Sequence, residues 1–183
     1  MARGPEIFRP AGARAPLFFL HIPKTSGSAQ NRVIADLWGE GALLHAESWF
    51  APIRAGRAAG QVRDAVSGHI PYASWCAAGL ADLYPAATVL RDPWERLVSH
   101  VNWMDRFNAG IDPGTHARLS PSHARVVAAL AETDFDRAAD LSALVARLTE
   151  AGDQQLFDNL QVRMITPERP AGPVTGADLD RAA

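Results

Sequence analysis

One segment near the N-terminus constrains the fold of this chain more than any other. Residues Leu17–Ile22 form a short apolar run, Pro23 interrupts it, and small and polar residues follow as far as Ser28. A run of this kind is typical of a strand buried on both faces of a parallel sheet. The next stretch, Ala29–Trp38, has the apolar periodicity of a helix. The segment therefore predicts a strand, a turn and a helix in that order, within an α/β fold.

The turn of this segment contains Lys24, the only lysine among the 18 lysine and arginine residues of the chain. An ammonium group is a compact point charge, so a tight turn around a phosphate accommodates it better than the broad guanidinium group. The start of the following helix adds unpaired backbone N–H groups and the positive end of the helix dipole. The turn therefore predicts a phosphate site, and a plain surface lysine is the alternative.

The spacing of this turn differs from that of the common P-loop. That motif places a glycine directly before its lysine, whereas here Gly27 follows Lys24. The turn is thus similar to a nucleotide-binding loop in its physics but lacks the usual ATP and GTP signature.

A second stretch predicts another strand followed by a helix. Thr88–Leu90 has the character of a buried strand, Arg91 follows it, and Asp92 and Pro93 are suited to the start of a helix that carries Ser99. Ligands of open α/β sheets bind at the carboxyl ends of the strands, so Arg91 is expected to face the same crevice as the first turn. Alternatively, Arg91 pairs with a nearby carboxylate and Ser99 is an ordinary helix residue.

A histidine ends a third predicted strand, Ala65–His69. Gly68 beside it allows the close approach of a ligand. An imidazole, with a reference pKa of about 6.5, is well suited to accept a proton near neutral pH. His69 is therefore a candidate general base, and a structural histidine is the alternative.

Four motifs carry a family resemblance and together span most of the chain. The motifs are His21–Ser28, Gly68–Tyr72, Leu90–His100 and Asn159–Met164. They resemble the carbohydrate sulfotransferases related to heparan sulfate 2-O-sulfotransferase, including the bacterial members of that family. The resemblance implies a three-layer, P-loop-like α/β fold with a central, mainly parallel sheet.

The resemblance also implies a donor, 3′-phosphoadenosine 5′-phosphosulfate (PAPS), and a carbohydrate or glycoconjugate acceptor. Lys24 and His69 would be catalytic, with His69 as the base, and Arg91 and Ser99 would hold the 3′-phosphate. The full set of implied donor-binding residues is Lys24, Thr25, Ser26, Gly27, Ser28, Arg91 and Ser99. Ser26 departs from the family, which often has glycine there, and a serine would restrict the turn if it needs a positive φ.

Composition excludes several other classes. A net charge of −2 argues against a broad nucleic-acid surface. Cys76 is the only cysteine, which argues against a disulfide-built fold, and no Cys/His cluster has metal-ligand spacing, so no metal is expected. No apolar run is long enough for a transmembrane segment, and residues 1–16 lack the apolar stretch of a secretory signal. Eukaryotic members of the family that the chain resembles have an N-terminal membrane anchor, so the resemblance, together with these features, implies a cytoplasmic bacterial enzyme.

The remaining sequence predicts one domain over residues 1–183. Trp38–Gly60 should form loops and one short helix, and Asn108–Ser122 an exposed connection. Helices are predicted over Pro121–Glu132 and Asp136–Glu150, and a last one after Thr175. The second of these has an apolar stripe that is predicted to be core, consisting of Leu141, Leu144, Val145 and Leu148. Members of the family that the chain resembles commonly continue beyond the equivalent point, so the resemblance implies either a short member or one that lacks its C-terminal element.

Two other functions stay open on sequence grounds. A small-molecule kinase using ATP is one, because strand–loop–helix phosphate sites also serve phosphoryl transfer. A non-catalytic nucleotide-binding or scaffold protein is the other.

Overall fold

The computed structural model describes residues 15–56, 63–168, 170 and 172–182. The chain divides into two compact units. Unit 1 consists of residues up to Arg91 and from Gln161 onward, and unit 2 is Asp92–Leu160. The prediction of a single domain is not tested by this division and stays a prediction. The interpretation of residues 1–14 as free of a secretory signal lies outside the described residues.

Unit 1 is built on a parallel sheet of four short strands in the order β2-β3-β1-β4. The strands are β1 (Leu17–Leu20), β2 (Ala42–Leu44), β3 (Ala65–Gly68) and β4 (Ala86–Ala87). The helices of this unit are α1 (Gly27–Trp38), α2 (Glu47–Arg54), α3 (Tyr72–Ala77), α8 (Leu160–Ile165, from Gln161 on) and α9 (Gly176–Ala182). A 3₁₀ turn, Gly39–Gly41, joins α1 to β2.

Helices cover both faces of this sheet. Neighbouring residues of a strand point to opposite faces. Phe18 stacks on Trp75 of α3, with ring centroids 3.9 Å apart, whereas Phe19 packs in a cluster with Ile34 of α1. This α/β arrangement is compatible with three layers, and it confirms the prediction of a parallel sheet.

The predicted elements of unit 1 are confirmed in part. The strand before Pro23, the helix that ends at Trp38 and the strand that ends at Gly68 are all present. The prediction of a buried strand over Thr88–Leu90 is wrong, because the strand ends at Ala87 and Leu90 is 56% exposed. The sequence also gave no indication of β2, although α2 matches the short helix expected before Gly60.

Unit 2 is helical. Its helices are α4 (Pro93–Asp105), α5 (Pro113–His116), α6 (Pro121–Ala131) and α7 (Ala138–Glu150), followed by a 3₁₀ turn, Asp153–Leu156. Asp92 caps α4 by accepting a hydrogen bond from the N–H of Glu95 at 3.0 Å, as its place before Pro93 predicts. The core of this unit contains Met104, Phe107, Val126 and Leu130.

The apolar stripe of α7 differs from its prediction as core. Leu148 is buried, but Leu141 is 37% and Val145 is 62% exposed. These side chains line an open apolar cavity of about 560 Å³ within unit 2, together with Val98 and Phe135. The stripe therefore forms a surface as well as a core.

Within the described ranges, no helix combines the length and apolar character needed to cross a membrane.

The last helix, α9, directly follows Thr175. The Asp178 carboxylate accepts hydrogen bonds from both the backbone N–H and the hydroxyl of Thr175. The helix predicted after Thr175 is thus confirmed, and the capping role of the Thr175 side chain stays a prediction.

Candidate functional site

The turn between β1 and α1 has two residues in the left-handed backbone region. Lys24 has φ 70° and Ser26 has φ 69°. The Thr25 side chain between them is buried, and its hydroxyl donates to the carbonyl of Ile22 at 2.9 Å. Ser26 therefore adopts the left-handed conformation that glycine favours. This is the position at which the resembled family often has glycine.

The turn leads directly into the N-terminus of α1. The carbonyl of Ser26 accepts hydrogen bonds from the N–H groups of Ala29 and Gln30, and Ser26 provides no side-chain cap. The first turn of α1 contains no acidic residue. Lys24, half-buried, precedes this helix start by three residues. The Lys24 ammonium and the N-terminal end of the helix dipole are both positive, a condition that suits an anion.

Arg91 lies beside this turn, as the sequence predicts. Its guanidinium group donates to the carbonyl of Lys24 at 3.5 Å. Beyond the end of β4, the Thr88 hydroxyl donates to the carbonyl of Leu20 at 2.7 Å, which holds this segment at the carboxyl end of β1. The Gln161 side chain holds the Arg91 backbone through two further hydrogen bonds. The structure thus brings Lys24 and Arg91 together at the carboxyl end of β1.

Ser99 belongs to unit 2. It lies in the middle of α4 and is half-buried, one residue before the buried His100. Its predicted partnership with Arg91 at a 3′-phosphate stays a prediction.

His69 follows the last residue of β3 and is exposed. Its backbone N–H donates to Oε1 of Glu47 at 2.6 Å, and its Nδ1 lies 3.6 Å from the same oxygen. The shorter contact is a hydrogen bond, and the longer one is an electrostatic contact beyond hydrogen-bond range. The His69 ring also lies near the ring of His21, with centroids 4.4 Å apart.

His21 connects His69 to the turn. The His21 ring occupies the space above Gly27, where an added Cβ would come within 1.8 Å of it. Burial and the neighbouring His69 lower the pKa of His21 from 6.5 to about 4, so its imidazole is neutral at neutral pH. Gly27 is therefore required for packing against a neutral, buried imidazole.

Some residues of this site were not identified from the sequence. Glu47 begins α2 and has no local motif that marks it. The hydroxyl of Ser67, on β3, donates to the Asn31 side chain of α1 at 2.5 Å and is buried, which ties the helix after the turn to the strand before His69. These contacts join residues that are distant in sequence, so the register of the sheet would be needed to find them.

No group of three or more His, Cys, Asp or Glu side chains within the described ranges could hold a metal ion. Cys76 is a free, half-buried cysteine on α3.

No protein-family model, curated protein or solved structure matches the chain.

Proposed function

We propose that the chain is a sulfotransferase that moves the sulfuryl group of PAPS to a hydroxyl group of a carbohydrate or glycoconjugate. The observation that carries this proposal is the convergence of Lys24, Arg91 and the start of α1 at the carboxyl end of a parallel strand. A P-loop-like nucleotide-binding fold is part of the proposal. The motifs that resemble carbohydrate sulfotransferases supply the choice of donor.

The donor carries anionic groups at two ends of a nucleoside, and the site offers two kinds of cationic group. The backbone N–H groups of Gly27 and Ser28 and the ammonium of Lys24 would bind the 5′-phosphosulfate. The planar guanidinium of Arg91 suits the terminal 3′-phosphate, to which it can donate two parallel hydrogen bonds. Ser99 keeps its predicted role as a hydroxyl donor to the same phosphate.

The proposed chemistry is one in-line transfer. The acceptor oxygen forms a bond to sulfur while the bond between sulfur and the 5′-phosphate oxygen breaks. The hydroxyl proton passes to the His69 imidazole, and 3′-phosphoadenosine 5′-phosphate leaves with the electron pair of the broken bond. Lys24 and the N–H groups of α1 would stabilise the negative charge that develops on this leaving group. His69 is suited to the proton transfer because it is an imidazole and because it is exposed.

The test compares three nucleotides by calorimetric titration: 3′-phosphoadenosine 5′-phosphate, AMP and ATP with magnesium. A charge-assisted contact to the 3′-phosphate is worth about 1.5–3 kcal/mol, so the first nucleotide should bind about ten- to a hundredfold more tightly than AMP. Arg91→Ala should remove most of that preference and weaken AMP little. Arg54→Ala, an exposed arginine of α2, is the matched control and should retain the preference.

The outcomes separate the proposed function from its alternatives. Equal affinity for AMP and 3′-phosphoadenosine 5′-phosphate removes the sulfotransferase assignment. A preference for ATP with magnesium supports the kinase, because the strand–loop–helix arrangement also serves phosphoryl transfer. Nucleotide binding without transfer from PAPS to any sugar hydroxyl supports the non-catalytic alternative.

A further inference from the structure

The carboxylate of Glu47 lies over the peptide bond between Gly68 and His69. Its Oε1 accepts the backbone N–H of His69 at 2.6 Å and is 3.6 Å from the ring Nδ1 of the same residue. One oxygen therefore contacts both the main chain and the imidazole of His69. The side chains of Glu47 and His69 are 44% and 45% exposed, so solvent reaches the pair from one side.

The backbone brings the Glu47 carboxylate close to His69. Strand β2 pairs with β3, with Leu44 opposite Ser67, and the N–H of Ala46 then donates to the carbonyl of Ser67 at 3.0 Å. Glu47 begins α2 immediately afterwards. A Cβ on Gly68 would come within 3.2 Å of the Ala46 nitrogen, so only glycine leaves ordinary room there. The position of the carboxylate thus follows from strand register.

Two other histidines, His21 and His45, lie near this pair. His21 is neutral at neutral pH, because burial and the adjacent His69 lower its pKa to about 4. His45 also lowers the pKa of His21, whereas the negative charge of Glu47 raises it. The Glu47 carboxylate thus lies on the Nδ1 side of the His69 ring.

We propose that Glu47 is the positioning residue for His69 in the transfer reaction, an inference that rests on the proposed function. A carboxylate near Nδ1 favours the tautomer with its proton on that nitrogen, which makes Nε2 the basic atom. The same negative charge stabilises the imidazolium formed when the acceptor hydroxyl gives up its proton. The hydrogen bond to the His69 N–H holds the backbone that carries the ring.

The key variant is Glu47→Gln, which keeps an oxygen for the His69 N–H but removes the charge. Ring nitrogen NMR, assigned with His69→Gln, should show mainly the Nδ1–H tautomer of neutral His69 in the wild type and a shift toward the other tautomer in E47Q. In transfer from PAPS, kcat should fall about 10- to 100-fold, by analogy with the loss on removing the partners that orient metal-bound histidines. Donor affinity should be unchanged. Glu40→Gln, an exposed acid of unit 1, is the control.

Glu47→Ala provides a second measurement. It removes the acceptor of the His69 N–H as well as the charge, so hydrogen exchange at that amide should accelerate in E47A and stay near the wild-type rate in E47Q. A thermal scan of each variant establishes that it is folded.

The outcomes are distinguishable. A His69 ring spectrum in E47Q identical to that of the wild type overturns the inference whatever the activity. A kcat within about twofold of the wild type also overturns the positioning role, because the expected loss is at least tenfold. If the wild type transfers no sulfuryl group, the proposed function fails, and the ring spectrum alone then decides whether Glu47 sets the tautomer of His69.

Discussion

The side chain of Gln161 forms two hydrogen bonds with the backbone of Arg91. The N–H of Arg91 donates to Oε1 at 2.9 Å, and Nε2 donates to the Arg91 carbonyl at 2.8 Å. A side-chain amide thus makes the pair of contacts that a neighbouring strand would make with an extended residue. Arg91 follows β4 by four residues, so this amide fixes the backbone of Arg91 where the sheet no longer does.

Gln161→Ala should weaken both the fold and the selectivity of the site. Loss of two partly exposed hydrogen bonds is expected to lower the free energy of unfolding by about 1 kcal/mol. It should also reduce the preference for 3′-phosphoadenosine 5′-phosphate over AMP, because Gln161 no longer holds the backbone that carries the Arg91 guanidinium. Denaturant unfolding and calorimetry measure the two effects. Gln30→Ala on α1 is the control, and an unchanged nucleotide preference in Q161A would contradict the role assigned here.

Lys24→Ala should reduce transfer from PAPS by about a hundredfold or more, since it removes a charge from the leaving-group side of the reaction. Lys24→Arg should restore little activity, because a planar fork does not fit a turn shaped for a point charge. Steady-state rates test this, with Arg54→Ala as the exposed-cation control. Near-normal turnover in K24A would remove Lys24 from the mechanism.

His69→Ala should separate catalysis from donor binding. Removal of a general base is expected to lower kcat by about 10²- to 10⁴-fold, whereas donor affinity should change little because the base contacts the acceptor proton. Rates and calorimetric donor titration, measured on the same preparation, test the separation. His116→Ala, an exposed histidine of unit 2, is the control. A parallel collapse of donor affinity would make His69 a donor-site or structural residue.

Gly27→Ala should destabilise unit 1, because the added methyl group would lie 1.8 Å from the His21 ring. Overpacking of this kind costs about 1–3 kcal/mol of unfolding free energy. The cost should shrink in a His21→Ala background, where the ring is absent. A double-mutant cycle by chemical denaturation gives the coupling between the two positions. Additive effects of the two substitutions would show that the contact does not limit stability.

Asp153→Asn should destabilise unit 2 in a pH-dependent way. Arg125 donates to both oxygens of the buried Asp153 carboxylate at 2.8 Å, and these hydrogen bonds lower the pKa of Asp153 below its usual value. A group with a lowered folded pKa stabilises the fold above its unfolded pKa, about 3.9, and loses that effect as pH falls through the folded value. Wild type and D153N should therefore differ most in denaturation midpoint at pH 7, and the difference should shrink as pH falls below about 4 toward the lowered folded pKa.

The control for this pair is Glu132→Gln. Glu132 forms an ion pair with Arg147 in which both side chains are more than half exposed. Such pairs contribute little, so this variant should unfold almost like the wild type at every pH. A difference between wild type and D153N that persists unchanged at pH 3 would assign the effect of Asp153 to packing instead of charge.

The part of the fold that the sequence predicts well is the part with strong local signals. The apolar run before Pro23 and the periodic stretch up to Trp38 gave β1 and α1. The strand β2 has only three residues and β4 only two, too few for a pattern to show. Thr88–Leu90 has the character of a buried strand, but the strand that pairs with β1 begins two residues earlier, at Ala86, and ends at Ala87.

The site shows the same division. The loop residues and Arg91 could be predicted because parallel strands bring their carboxyl ends to one edge of the sheet. Glu47 and His21 could not, since their contacts with His69 depend on the register of β2, β3 and β1. The stripe of α7 is apolar, but its prediction as core is only partly right, because periodicity does not reveal whether another element covers it.

The division of unit 1 into two stretches of sequence affects the order in which its contacts can form. All of Asp92–Leu160 separates Arg91 from Gln161. A ribosome releases residues in chain order, so unit 2 emerges before the residue that holds the Arg91 backbone. Loops that close over so many residues also slow folding, because their closure entropy must be met before the contacts form. Translation therefore makes the contacts between Gln161 and Arg91 possible only after every residue of unit 2 has emerged.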